Sequence, residues 1–111
     1  MPLQNSQLER DFHEAMLGIY DAALRLKPPY RATYFRRMVL ERGGRQAAND
    51  LLATEEPSSG FTELYLHGRR LDLSVEYLVL KKPWRDLFSP EQLEVARGRL
   101  EKVGFSPPAE A

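Results

Sequence analysis

Asp72-Leu73-Ser74-Val75-Glu76-Tyr77-Leu78-Val79-Leu80 (DLSVEYLVL, residues 72–80) is the stretch whose reading decides the fold class. Val75, Tyr77, Val79 and the adjacent leucines would suit a buried strand. The same residues suit a helix capped by Asp72 and running from Leu73 to about Leu80. A strand needs a neighbour to take up its backbone hydrogen bonds, and one lone strand would have nothing to pair with, so the helix is the consistent choice. The expected class is therefore all-α.

Upstream, a short helix is expected from Phe61 to Leu66, capped by Ser58 or Ser59 and closed by Gly68, after a loop from Thr54 to Gly60. Downstream, Trp84 to Phe88 reads as a turn of helix after Pro83. Ser89 then opens the clearest helix in the chain, with Pro90, Glu91 and Gln92 supplying a first-turn proline and an early acid. Leu93, Ala96, Leu100 and Val103 carry its apolar stripe to Gly104, and Phe105 can close a Schellman-type end. The tail Ser106–Ala111 is expected to fray.

Towards the start, Ser6 and Glu9 have the spacing of a capping box, and a helix is expected from there to about Leu26. Leu8, Phe12, Ala15, Met16, Ile19, Ala23 and Leu26 share one face, which Leu17, Tyr20 and Leu24 widen. Asp11, Glu14, Gly18, Asp21 and Arg25 take the wet side. So wide an apolar arc implies a spine packed against more than one neighbour. Pro28 and Pro29 stop it. A second helix from Arg31 to Arg42 turns Phe35, Met38 and Val39 inward and ends at Gly43. A third, Arg45 to Ala53, carries Ala47, Ala48, Leu51 and Leu52 at helical spacing. The architecture is a compact array of five or six short helices in one domain spanning 1–111, with its ordered core at about 6–105.

Several of these segments resemble a family of short bacterial helical proteins with no assigned activity. They are FHEAMLGIY (12–20), GGRQAANDLL (43–52), SGFTEL (59–64), RLDLSVEYLVL (70–80) and LFSPEQLEVARGRL (87–100). The resemblance implies a bacterial single-domain protein and brings no catalytic residue with it.

Composition narrows function more than any motif does. The chain of 111 residues has no cysteine, which removes disulfides and thiolate metal sites and fits a reducing compartment. Sixteen basic residues balance sixteen acidic ones, so the whole molecule exerts no net pull on nucleic acid or an anionic membrane. No apolar run reaches the roughly 20 residues of a membrane span, and Met1–Leu8 has no signal-peptide pattern. The expectation is a cytoplasmic protein with no membrane partner.

Chemical motifs are incomplete. His13-Glu14 begins a zinc-hydrolase pattern, but Leu17 stands where the second histidine belongs, and His67 could join only through folding. Ser58, Ser59 and Ser89 are explained as caps, and no nucleophile elbow or phosphate loop is present. The pairs Asp11/Glu14 and Glu91/Glu94 lie on wet faces. The expectation is a protein that is not an enzyme, carries no metal or cofactor, and uses its apolar residues to fill the interior, leaving no pre-shaped pocket where a reaction could be run.

Two surfaces remain as binding candidates. One is the patch Arg69, Arg70, Tyr77, Lys81, Lys82, Trp84 and Arg85, with Tyr65 in the same region of the sequence, which mixes cations with aromatic rings as a protein-interaction or self-association surface does. The other is the basic stretch 27–45, with six cations against Glu41 alone. Read as a helix-turn-helix over 31–53, it offers Arg36, Arg37 and Arg42 to phosphates and Arg45, Gln46 and Asn49 to base edges. Arg36 and Arg37 point about 100° apart, and Asp50, Glu55 and Glu56 follow at once, which opposes DNA. The leading expectation is a protein-interaction or adaptor module, with a small DNA-binding or regulatory protein as the alternative.

Overall fold

The computed structural model describes residues 3–108. They form six helices: α1 (Leu3–Leu24), α2 (Thr33–Arg42), α3 (Gly44–Leu52), α4 (Ser59–Leu66), α5 (Val75–Val79) and α6 (Pro90–Lys102). Turns of 3₁₀ helix at Leu71–Leu73 and Trp84–Leu87 link the later ones. The described residues include no strand, so the all-α reading of 72–80 holds. The Cα radius of gyration, 13.3 Å, matches the roughly 13 Å of a close-packed chain of this size, so the helices form one body.

The spine is α1. Phe12, Met16 and Ala23 are buried, while Asp11, Glu14, Gly18 and Asp21 face solvent. The helix packs on α2, α3 and both 3₁₀ turns, which is what its wide stripe requires. Two boundaries differ from expectation. The helix is already under way at Ser6, so Ser6 does not cap it. It also stops at Leu24 instead of Leu26: Arg25 and Leu26 close tight turns onto Ala22 and Ala23, and the Tyr30 amide returns to the Ala23 carbonyl at 2.9 Å. Pro28 and Pro29 then keep the helix from resuming. The expected fraying concerns in part residues 109–111, which lie outside the described residues.

One residue makes the corner between α2 and α3. Gly43 sits at φ 87°, ψ 149°, donates its N–H to Val39 to end α2, and accepts from Ala47 to begin α3. Such a φ favours glycine. The next glycine is needed for space: a Cβ on Gly44 would lie 2.7 Å from the Cα of His13. The start of α3 therefore rests directly on α1. At that crossing the Gly44 N–H donates to His13 Nδ1 at 2.9 Å. The His13 ring supplies the acceptor that Gly43, lacking a side chain, cannot offer to an unpaired N-terminal amide.

The later elements are set by caps. Ser58 Oγ accepts from the Phe61 amide and opens α4. Ser74, not Asp72, caps α5: its Oγ accepts from the Tyr77 amide at 3.1 Å and donates to the Leu71 carbonyl at 2.7 Å. Asp72 is held by Arg70 through two hydrogen bonds. The expected single helix from Leu73 to Leu80 is thus a 3₁₀ turn followed by a helix of five residues. At α6 Ser89 and Gln92 form a reciprocal capping box, and Phe105 and Gly104 close a Schellman end onto Leu100 and Glu101.

A buried ion pair ties the second half to the first. Arg99 on α6 and Glu76 on α5 are 8% and 3% exposed and meet at 2.9 Å. The guanidinium also donates to the carbonyls of Leu51 and Thr54, so it binds the end of α3 as well. Burial raises the Glu76 carboxyl above its ordinary value of 4.5, against the opposing pull of Arg99.

Three outcomes follow for urea unfolding. Gly44→Ala destabilises by about 1–3 kcal/mol, because the new methyl must push α3 off α1, whereas Gly98→Ala, which faces open space on α6, stabilises by about 0.5–1 kcal/mol. Arg99→Met strands a buried carboxylate and costs about 3–5 kcal/mol, and Glu76→Leu with Arg99→Met recovers most of it. A raised carboxyl pKa means that the folded state holds the proton more tightly than the unfolded chain. The Glu76 contribution is then complete below about pH 4.5 and is lost as pH rises through the folded value. Wild type accordingly gains on the double variant as pH falls from neutrality to about 4.5; a constant difference would show that folding leaves the carboxyl unshifted, and an opposite one that the folded state prefers the ionised form.

Candidate ligand cleft

The helices do not close over one another everywhere. The main packing partner of α4 is the Leu71–Leu73 turn, and between α4 and the layer of α1 and α2 lies a cleft of about 370 Å³. Ile19 and Ala23 come from α1, Phe35 and Met38 from α2, Phe61 and Leu64 from α4, and Leu73 to Glu76 close the floor. The apolar spacing of the sequence does not announce this opening, and neither histidine lines it. The physical reason is local: Tyr30–Ala32 runs as a non-helical strap, because α2 starts at Thr33 and not at Arg31, and α5 is only five residues long. The apolar walls therefore stand apart at a volume typical of small ligand sites.

The polar groups of the cleft divide by depth. On the floor, Ser74 is engaged with Leu71 and Tyr77, and Glu76 with Arg99. At the mouth, Ser58 Oγ caps α4, and the Tyr30 hydroxyl comes within 3.6 Å of the position a Cβ on Gly60 would take. Desolvation, then the negative charge of Glu63, raises the Tyr30 phenol above its ordinary value. Arg31 and Tyr34 stand exposed on the rim, Tyr34 at 73%. No pair of groups here has the donor–acceptor contact of a nucleophile and its base.

The basic corner is differently built. Arg10, His13, Arg42, Arg45, Gln46 and Asn49 line a wide polar depression with Glu9 and the two glycines. Four of the six residues expected to meet nucleic acid are brought together here, and each already has a partner. Arg42 pairs with Asp50, Arg45 with Glu9, Gln46 donates to Asp50 at 2.9 Å, and Asn49 accepts from Gln92 at 2.9 Å. The contacts from Gln46 and Arg42 lower the Asp50 carboxyl below its ordinary value. Arg36 lies over the Tyr20 ring at 5.5 Å, and Arg37 is exposed.

The aromatic patch separates into pairs. Trp84 is half-buried and packs on Phe12, with ring centroids 5.7 Å apart, whereas Tyr77 packs on Phe105 and carries Lys81 over its face. Arg69 covers Tyr65, Arg70 holds Asp72, Arg85 is half-buried and engaged, and Lys82 is exposed. The two histidines go to separate partners, His13 to Gly44 and His67 to the Pro28 carbonyl. Among the described residues no group of three acids or histidines is placed to hold a metal ion.

The sequence reading singled out neither the cleft nor the Glu76–Arg99 pair. A signal for the pair exists: Glu76 interrupts an apolar run, and Arg99 falls on the stripe of Ala96 and Leu100. No protein-family description matches the chain, and no curated protein or solved structure matches it either.

Proposed function

We propose that the protein works by binding and not by catalysis, as a bacterial protein-interaction or adaptor module that receives an apolar segment of its partner in the cleft. The observation that carries this reading is an apolar cavity whose floor is chemically engaged and whose rim carries exposed Tyr34 and Arg31, residue types that dominate binding energy at interfaces. A cytoplasmic setting is supported by the absence of cysteine. No helix among the described residues is long and apolar enough to cross a membrane.

A photo-crosslinking residue in place of Tyr34, activated in the native cell, tests the proposal. A discrete adduct should form and disappear when Ala32→Phe fills the cleft, with folding checked by thermal denaturation. An adduct indifferent to that change, or no more adduct than the same probe gives in place of Val95 on α6, would overturn it.

The duplex-binding alternative makes the opposite prediction. It requires binding that weakens steeply with salt and is lost in Arg36→Ala with Arg37→Ala. With Arg42, Arg45, Gln46 and Asn49 engaged internally, no complex is expected even at low salt, and a labelled duplex followed by fluorescence anisotropy checks this.

A further inference from the structure

We infer that the cleft takes the carboxyl-terminal end of a partner polypeptide, with the apolar last side chain inside and the terminal carboxylate at Arg31. The inference rests on the docking role proposed above and adds the chemistry of what docks.

Depth selects the apolar part. The deep walls are Ile19, Ala23, Phe35, Met38, Phe61 and Leu64, and the polar groups of the floor already have partners in Leu71, Tyr77 and Arg99. A polar group pushed to the bottom would lose its water and find no partner, which is costly. The mouth selects the charge. Only Arg31 and Glu76 among the lining residues are charged, and Glu76 is neutralised by Arg99. Arg31 is exposed and has no ion pair among the described residues, so the unmatched charge among the lining residues is positive, with the negative Glu63 outside the lining. The Tyr30 hydroxyl, with no hydrogen-bond partner among the described residues, adds a donor to the same lining, beside Gly60.

The guanidinium fork takes the two oxygens of a carboxylate, and Arg31, the only cation of the lining, balances its single charge. The second charge of a phosphate would have no cation to meet it and would face Glu63, close enough to raise the Tyr30 phenol. A chain terminus carries an apolar side chain and a carboxylate on the same α-carbon, so one residue spans the wall and the mouth. The volume of about 370 Å³ accommodates such an end and not a whole helix, which is about 10–12 Å across with its side chains. Exposed Tyr34 leaves a rim for the residues that precede the terminus.

The test passes two pools of short acetylated peptides over immobilised protein and identifies the retained ones by mass spectrometry. Both pools end in random pairs of Leu, Ile, Val, Phe and Met; one has free carboxyl termini and the other is amidated. The free-acid pool should be retained about tenfold better, the size of one charge-assisted hydrogen bond. That advantage should vanish in Arg31→Ala, persist in part in Arg31→Lys and fall in Tyr30→Phe; all three changes are at partly or fully exposed positions and can be checked for folding by circular dichroism.

Equal retention of both pools, lost together in Ala32→Phe, would overturn the carboxylate assignment and leave the docking role standing. Retention of neither pool would overturn the inference, while the Tyr34 adduct would still judge the docking role by itself. Decanoate binding as tightly as the peptides would overturn the assignment to a polypeptide in favour of a free apolar carboxylate.

Discussion

Arg99 is the constraint on which the second half of the molecule depends. From α6 it reaches Glu76 on α5 and the carbonyls of Leu51 and Thr54 at the end of α3, so one guanidinium fixes three helices. A helix of five residues such as α5 has too few internal hydrogen bonds to persist alone, and its position must come from what it touches. Burying two charges is expensive, and the pair is tolerated because the guanidinium is also taken up by the Leu51 and Thr54 carbonyls, leaving no buried side-chain polar atom without a partner among the described residues. The pair also closes the floor of the cleft. The group that holds α5 in place is therefore the one that removes charge from the bottom of the cavity.

The first half is organised by distance of approach. Because Gly44 has no side chain, α3 comes down onto the backbone of α1, and the His13 ring completes the first turn of α3. This crossing explains the fate of the basic stretch. Packing α3 so close to α1 brings Arg45 to Glu9, and the Gly43 corner folds Arg42 back to Asp50. Cations that look available in the linear order become fastenings between α1, α2 and α3. Asp50, which in the sequence reads as a repulsive neighbour for DNA, acts as the acceptor that holds Arg42 and Gln46.

What is legible in the sequence is what local chemistry decides. Ser58, Ser89 and Gly104 mark helix ends because a hydroxyl or a missing Cβ acts within a few residues of itself. The buried face of α1 is legible because periodicity needs no knowledge of the neighbour. Ser6 and Asp72 fail as caps for the same reason that the others succeed. Each has the right side chain, but α1 has already begun before Ser6, and Arg70 occupies Asp72 while Ser74 takes its place. Glu76 and Arg99 stand 23 residues apart, so their pairing is a product of the fold.

The cleft belongs to a further category, because it is a space and not a residue. Hydrophobic spacing states which faces avoid water; it does not state whether two such faces meet. Here they fail to meet because Tyr30–Ala32 is a strap and not a turn of helix, so the residues that would have carried α2 over the Phe61 and Leu64 face line an opening instead. The strap has a second effect. It sets Tyr30 and Arg31 side by side at the edge of an apolar cavity, a polar rim that a regular helix would have turned partly away. The two prolines at 28 and 29 stand at the start of this strap: they keep α1 from continuing into α2, and the non-helical residues that follow, up to Ala32, line the opening.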